Sequence, residues 1–194
     1  MSWELDDFTF KGTELKGMTP KGKDKVKTEG LIDMVVPEKN PEGQPITRIG
    51  DEAFYRRKLT SVVIPDTVES IGYDAFGVCA LTEVKLPSAL KHIEGFAFYR
   101  NKLKKVEFGG KEETIEPSAF ALNQLPEINL PETVEYIGAS AFYQNDLTEV
   151  KLPEGMKKLD MYAFKKNNIH EVKIPAKIEF LHEKAFEENT DVIK

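Results

Sequence analysis

From Leu59 onward, apolar positions return every 22 residues, in six consecutive units that begin at Leu59, Leu81, Leu103, Leu125, Leu147 and Ile169. Their common pattern is L-x-x-V-x-I-P-x-x-V-x-x-I-x-x-x-A-F-x-x-N-x. Its Ala-Phe column is unbroken: Ala75-Phe76, Ala97-Phe98, Ala119-Phe120, Ala141-Phe142, Ala163-Phe164 and Ala185-Phe186. The Val/Ile column (Val62, Val84, Val106, Ile128, Val150, Val172) is equally regular. A stretched unit precedes these, with Leu31, Met34, Val36, Ile46, Ile49 and Ala53-Phe54 in register once the Pro- and Gly-containing segment 38–45 is set aside as a surface loop. Self-similarity at this period marks a stack of supersecondary units, none of which can bury its apolar face alone.

The V-x-I step alternates with period two and is rich in β-branched residues, which predicts a strand, and the proline that follows in most units ends it. The V-x-x-I step fits a second short strand or a tight helical turn. The residues before Ala-Phe, such as Gly72-Tyr73-Asp74, predict one turn of 3-10 helix. Two helices and a proline break do not fit in 22 residues. Ahead of the repeats, Phe8-Thr9-Phe10 and Thr13-Glu14-Leu15 alternate around Lys11-Gly12 as a β-hairpin does, and this hairpin is expected to cap the first coil. The expected organisation is therefore a cap over 1–30, a seven-repeat solenoid over 31–190, and a tail or incipient repeat over 191–194.

Two columns refine this picture. Arg57, Cys79, Asn101, Asn123, Asn145, Asn167 and Asn189 stand two residues before each unit's leading position, where a buried Asn can satisfy carbonyls and amides of the neighbouring coil. Cys79 is read there as a small structural substitute. The third full unit carries Phe108-Gly109-Gly110 in place of the proline step and Glu112 where other units have Val68, Leu90 or Val134, so a loose turn with Glu112 swung outward is expected.

These units resemble the BspA-type (Treponema-type) leucine-rich repeats, in the leading Leu, the strand, the Pro and the Ala-Phe quoted above. The resemblance spans about residues 8–190. It implies a leucine-rich-repeat solenoid of mainly parallel β coils with short 3-10 turns. It also implies a non-catalytic module of a bacterial cell-surface or secreted protein that adheres to a protein partner, such as a host matrix or surface protein.

Composition adjusts these expectations in a few places. A net charge of -6 argues against a nucleic-acid partner. The lysines at 11, 16, 21, 23, 25 and 27 form one local exception, read as a solvated, loop-rich segment. No apolar run approaches the length of a membrane span, and Glu4, Asp6 and Asp7 stand where a secretory signal would be basic and then apolar. Read as a full-length chain, it would be a cytoplasmic scaffold, which is the alternative to the surface reading. His92, His170 and His182 fall in three different columns, and neither a metal-ligand spacing nor a phosphate-cradling loop is present. No cofactor and no enzymatic activity are expected.

The column after Ala-Phe reads Tyr55, Gly77, Tyr99, Ala121, Tyr143, Lys165, Glu187, and Arg56, Arg100 and Gln144 follow the tyrosines directly. Tyr and Arg are enriched at binding hot spots, so Tyr55, Arg56, Tyr99, Arg100 and Tyr143 are the candidate ligand-binding residues. The competing reading is that each ring packs over its neighbours and half covers the core.

Overall fold

The computed structural model describes residues 2–28 and 30–193; Met1, Glu29 and Lys194, at the edges of the expected cap and tail, lie outside them. The chain is a parallel β-solenoid of about seven turns. Its continuous sheet is built by the V-x-x-I step. The two-residue strands Arg48–Ile49, Ser70–Ile71, His92–Ile93, Thr114–Ile115, Tyr136–Ile137, Lys158–Leu159 and Phe180–Leu181 run parallel in one sheet, each one period from the next. In all but the last, the second residue is buried, and the first faces outward, as period-two geometry requires.

The V-x-I step was expected to be the strand of every coil, and here the structure differs. Ladders join Asp33–Val35 to Ser61–Val63, Glu83–Lys85 to Lys105–Glu107, and Glu171–Lys173 to Asp191–Ile193, but no described strand covers 127–129 or 149–151. The break coincides with Pro126. At the equivalent places Thr82 and Lys104 donate their N–H groups to Thr60 and Thr82 of the previous coil, and proline has none to donate.

The Ala-Phe turn closes each coil. Phe54, Phe76, Phe98, Phe120, Phe142, Phe164 and Phe186 stack in one column with centroids 5.1–5.4 Å apart and planes within 16°. The N–H of Phe54, Phe76, Phe98, Phe120, Phe142 and Phe164 each donates to the next coil's Ala carbonyl at 2.8 Å. Bonds within the turn alternate with these: Ala53 N–H to Gly50 O at 3.3 Å and Tyr55 N–H to Glu52 O at 3.1 Å. The i→i−3 closure has the expected 3-10 character. It does not become a helix, because left-handed residues such as Glu52 (φ 54°) and Arg56 (φ 58°) turn intervening N–H groups toward the next coil.

The asparagine column does what its position predicts. Asn101 Nδ2 donates to Phe76 O (2.8 Å) and Phe98 O (3.1 Å), while its Oδ1 accepts from Leu81 N–H at 3.0 Å. Asn123, Asn145 and Asn167 repeat this pattern. Cys79 stands in with its thiol toward Phe54 O at 3.2 Å. Burial pushes that thiol up to about 11, in keeping with a structural role.

Glu112 overturns its expectation. It is completely buried in the Val/Leu column rather than swung outward, and its carboxylate accepts from Gly109 N–H (2.7 Å) and Gly110 N–H (2.9 Å). Gly109 in place of the proline adds a loop amide, and a carboxylate inside satisfies it together with that of Gly110, where an apolar side chain could not. The turn is also tight, since a Cβ at Gly109 would lie 2.0 Å from Pro87 O.

At the N-terminal end the hairpin forms: β1 (Phe8–Lys11) pairs antiparallel with β2 (Glu14–Met18), and β2 joins the main sheet parallel to Arg48–Ile49. The lysine-rich segment, expected to be a loop, is instead helix α1 (Pro20–Thr28). Thr19 caps it through Gly22 N–H at 3.2 Å, and Pro20 occupies its first position. A Cβ at Gly22 would meet Asp7 O at 2.3 Å, so glycine permits the helix to lie against the Leu5–Asp7 turn. The loop 38–45 is organised by buried Asn40, which donates to Gly12 O at the hairpin tip (2.9 Å) and accepts from Gln44 N–H (2.8 Å).

At the other end, the last turn is two residues short. Val192 pairs with Val172, a spacing of 20 instead of 22. Asn189 is exposed, and Thr190 Oγ1 donates to a different carbonyl, Ile169 O, at 2.8 Å.

Candidate functional site

The five candidate residues share one edge of the solenoid, the corner where the Ala-Phe turn leaves the core. Tyr55, Tyr99 and Tyr143 are half-buried, with their N–H groups bonded back to Glu52, Phe96 and Ser140. Arg56, Arg100 and Gln144 follow at φ 58°, 56° and 54°. Their N–H groups reach the next coil at Gly77, Ala121 and Lys165, so their side chains project outward. The row is therefore positioned by backbone bonds common to all coils, with buried Gly77 and Ala121 between the tyrosines.

The tyrosines do not touch one another; each meets a local partner. The Arg56 guanidinium lies over the Tyr55 ring at 5.1 Å. Tyr99 stands edge-on to Phe96 at 5.2 Å, and Phe96 meets Tyr73 at 5.5 Å. The Lys166 ammonium sits over Tyr143 at 5.3 Å, and Lys165 over Tyr162 at 5.2 Å. Hydrogen bonding to Tyr143 raises the Lys166 pKa.

Sequence reasoning missed Tyr73 (45% exposed), Phe96 and Tyr162, which extend the aromatic edge. They fall in other columns of the repeat, and only the turn's curl brings those columns beside the tyrosines.

The outer face of the main sheet is a second polar surface. At one end Arg48 binds Glu94 (2.5 Å), Asp51 (2.7 Å), Glu14 (3.4 Å) and Ser70 (3.1 Å), tying the hairpin to the first three coils. The Glu94 bond raises the guanidinium's pKa further. Burial, and then neighbouring Glu94, raises the Glu116 pKa. At the other end Lys158 lies over Tyr136 (5.1 Å) and Phe180 (5.4 Å) and pairs with Asp160 at 3.1 Å. His92 Nδ1 meets Thr114 Oγ1 at 3.3 Å in mid-sheet, and His182 lies beside Phe180. Glu4, Asp6 and Asp7 converge as carboxylates, but Lys21 pairs with Glu4 and Asp6 (2.8 Å each) and Lys25 with Asp7 (2.6 Å).

The repeat pattern described as the BspA type leucine rich repeat region matches residues 47–170 and 113–194, in six copies. The chain belongs to that family. Among solved structures, this BspA-type chain is similar to a leucine-rich repeat protein of T. pallidum, with 27% identity and a TM-score of 0.75 over 93% of this chain and 86% of that one. A Bacteroides ovatus leucine-rich repeat protein also matches, at 24% identity and a TM-score of 0.75, over all of this chain and 53% of that one. The pneumococcal vaccine antigen PcpA shares the fold at 17% identity and a TM-score of 0.55, over 88% of this chain and 62% of that one. No curated protein matches the BspA-type chain in sequence. Among the described residues, no helix is long and apolar enough to cross a membrane.

Proposed function

We propose that this BspA-type chain is a non-catalytic protein-binding module, displayed by a bacterium at its surface or secreted for adhesion, and that the Tyr55–Tyr99–Tyr143 edge with Arg56 and Arg100 is its partner face. The observation that carries the reading is the edge itself. The backbone fixes five large side chains on one border, where Tyr73 and Phe96 widen the apolar area. Rigid aromatic anchors beside forked guanidinium donors are the chemistry of interface hot spots. Family membership and the antigen with the same fold support display at a surface.

The test is capture of a partner from host matrix and serum proteins, followed by variants. Tyr99→Ala should weaken binding by more than about 1 kcal/mol. Tyr99→Phe, which keeps the contact with Phe96, separates recognition from packing. Lys151→Ala, on the V-x-I side, should change affinity little. Intact affinity with a destabilised fold in Tyr99→Ala would show that the row is packing. Localisation of the native protein by surface labelling of intact cells decides between display and a cytoplasmic scaffold.

A further inference from the structure

Helix α1 carries two cationic faces that the fold treats differently. Lys21 and Lys25, one turn apart, face Glu4, Asp6 and Asp7 and are neutralised there. Lys23 and Lys27, also one turn apart, point the other way. Together with Asp24 and Val26 they line a cleft of about 300 Å³ whose opposite wall is Arg56, Arg57 and Lys58. Five cations thus share one concavity with a single carboxylate, in a protein whose net charge is -6. None of the five makes an ion pair among the described residues, whereas Lys21 and Lys25 on the other face of the same helix both do. Burial and then Glu52 raise the pKa of nearby Asp74, against the opposing pull of Arg56.

Arg57 supplies a second, independent observation. It occupies the asparagine column of the first coil, where its own turn supplies Phe54 O but no earlier coil supplies the second Phe carbonyl that the asparagines bind 25 residues back. Its Nε is buried and has no hydrogen-bond partner. A guanidinium N–H left unsatisfied at the edge of a cationic cleft is a donor awaiting an acceptor.

We propose that this cleft between α1 and the first Ala-Phe turn is a binding site for a tetrahedral oxyanion, a sulfate or phosphate monoester group carried by the ligand. The neighbouring cations repel one another in the empty site, and an anion with several acceptor oxygens relieves that repulsion while satisfying Arg57. A tetrahedral group offers oxygens in enough directions to meet donors from both walls, whereas a single carboxylate is planar. Arg56 also belongs to the tyrosine edge, so the site lies at that edge's N-terminal end. It stands whether or not the edge binds a protein.

The experiment is an NMR titration of the whole chain with glucose 6-sulfate, phosphoserine and acetate, at constant ionic strength maintained with chloride. The two esters should give saturating shifts confined to the amides of residues 23–27 and 56–58, and acetate should bind at least tenfold more weakly. The tighter ester names the source, and phosphoserine binding should strengthen as pH rises through about 6, where the phosphate takes its second charge, while sulfate binding stays flat. Lys27→Gln with Lys58→Gln, both exposed positions, should weaken ester binding at least tenfold and leave the anion-free melting temperature unchanged or higher. Equal binding of acetate, shifts spread over distant lysines such as Lys111 and Lys151, or undiminished binding by the double variant would each overturn the proposal. Loss of protein capture by Tyr99→Ala with ester binding intact would separate this site from the tyrosine edge.

Discussion

The two ends of the phenylalanine stack are finished differently. At the first coil Phe54 meets Phe8 edge-on at 6.5 Å, Trp3 covers Phe8 at 5.7 Å, and the hairpin continues the main sheet beyond Arg48–Ile49. At the last coil Phe186 has a stacked neighbour on one side only, and Phe180, Val192 and Ile193 are 45%, 37% and 40% exposed. One end therefore replaces the missing coil with a different structure that presents the same bonds and the same apolar cover. The other lets the register slip to 20 residues and leaves apolar side chains partly in water. In a one-dimensional stack, stability is a sum of neighbour terms, so the two ends should differ in how readily they fray.

The sharpest way to expose that difference is a pair of identical truncations. Phe120→Ala, with a stacked ring on each side and no exposure, should cost about 3–5 kcal/mol in denaturant melts. Phe186→Ala should cost clearly less, and equal losses would break the one-dimensional picture. Next in size is the fastening of the cap. Asp7→Ala strands Lys25 and frees the Glu4 N–H that now bonds the Asp7 carboxylate at 2.8 Å, so a loss of about 2–3 kcal/mol is expected. Hydrogen exchange should then show first-coil amides opening as readily as last-coil ones.

A smaller effect, of the opposite sign, belongs to Cys79. Asn at that position would restore the ladder that Asn101 makes one coil later, so Cys79→Asn should stabilise by about 0.5–1.5 kcal/mol in the same melts. The last concerns pH. Burial raises the folded thiol from about 9 to about 11, so the unfolded thiol ionises first as pH climbs. Stability contributed by the buried neutral thiol is present below pH 9 and is lost as pH rises from about 9 to about 11. Melts at pH 8 and 10 should show a decline in the wild type that is shallower in Cys79→Asn.

How much of this could be read in advance divides along the same line. In the coils every column is repeated, so Ala-Phe, the asparagines and the buried isoleucines announced a stacked core before any geometry was known. The cap has no repeat to average over. Helix α1 has one apolar residue, Val26, and is held by Gly22 against Asp7, so no apolar periodicity could reveal it; only Thr19-Pro20 marked its start. Glu112 departs from its expected outward position because its burial depends on two loop amides, not on its own polarity. The five edge residues were aligned correctly by the repeat. What each ring touches was hidden, because Phe96 and Lys166 belong to other columns.

The asparagine ladder also governs how this chain can change length. Each Asn reaches back 3 and 25 residues for its carbonyls and 20 for its amide, so Asn167 holds Phe164, Phe142 and Leu147. Excision of residues 125–146, one full period, would place Phe120 where Phe142 stood and leave every rung a partner. Removing one residue fewer would leave the rung at the junction out of register with its carbonyls, while the coils downstream keep their own 22-residue spacing. In mid-array, length therefore changes most simply in steps of a whole coil, whereas the first unit takes its extra residues as the surface loop 38–45 and the last turn drops two.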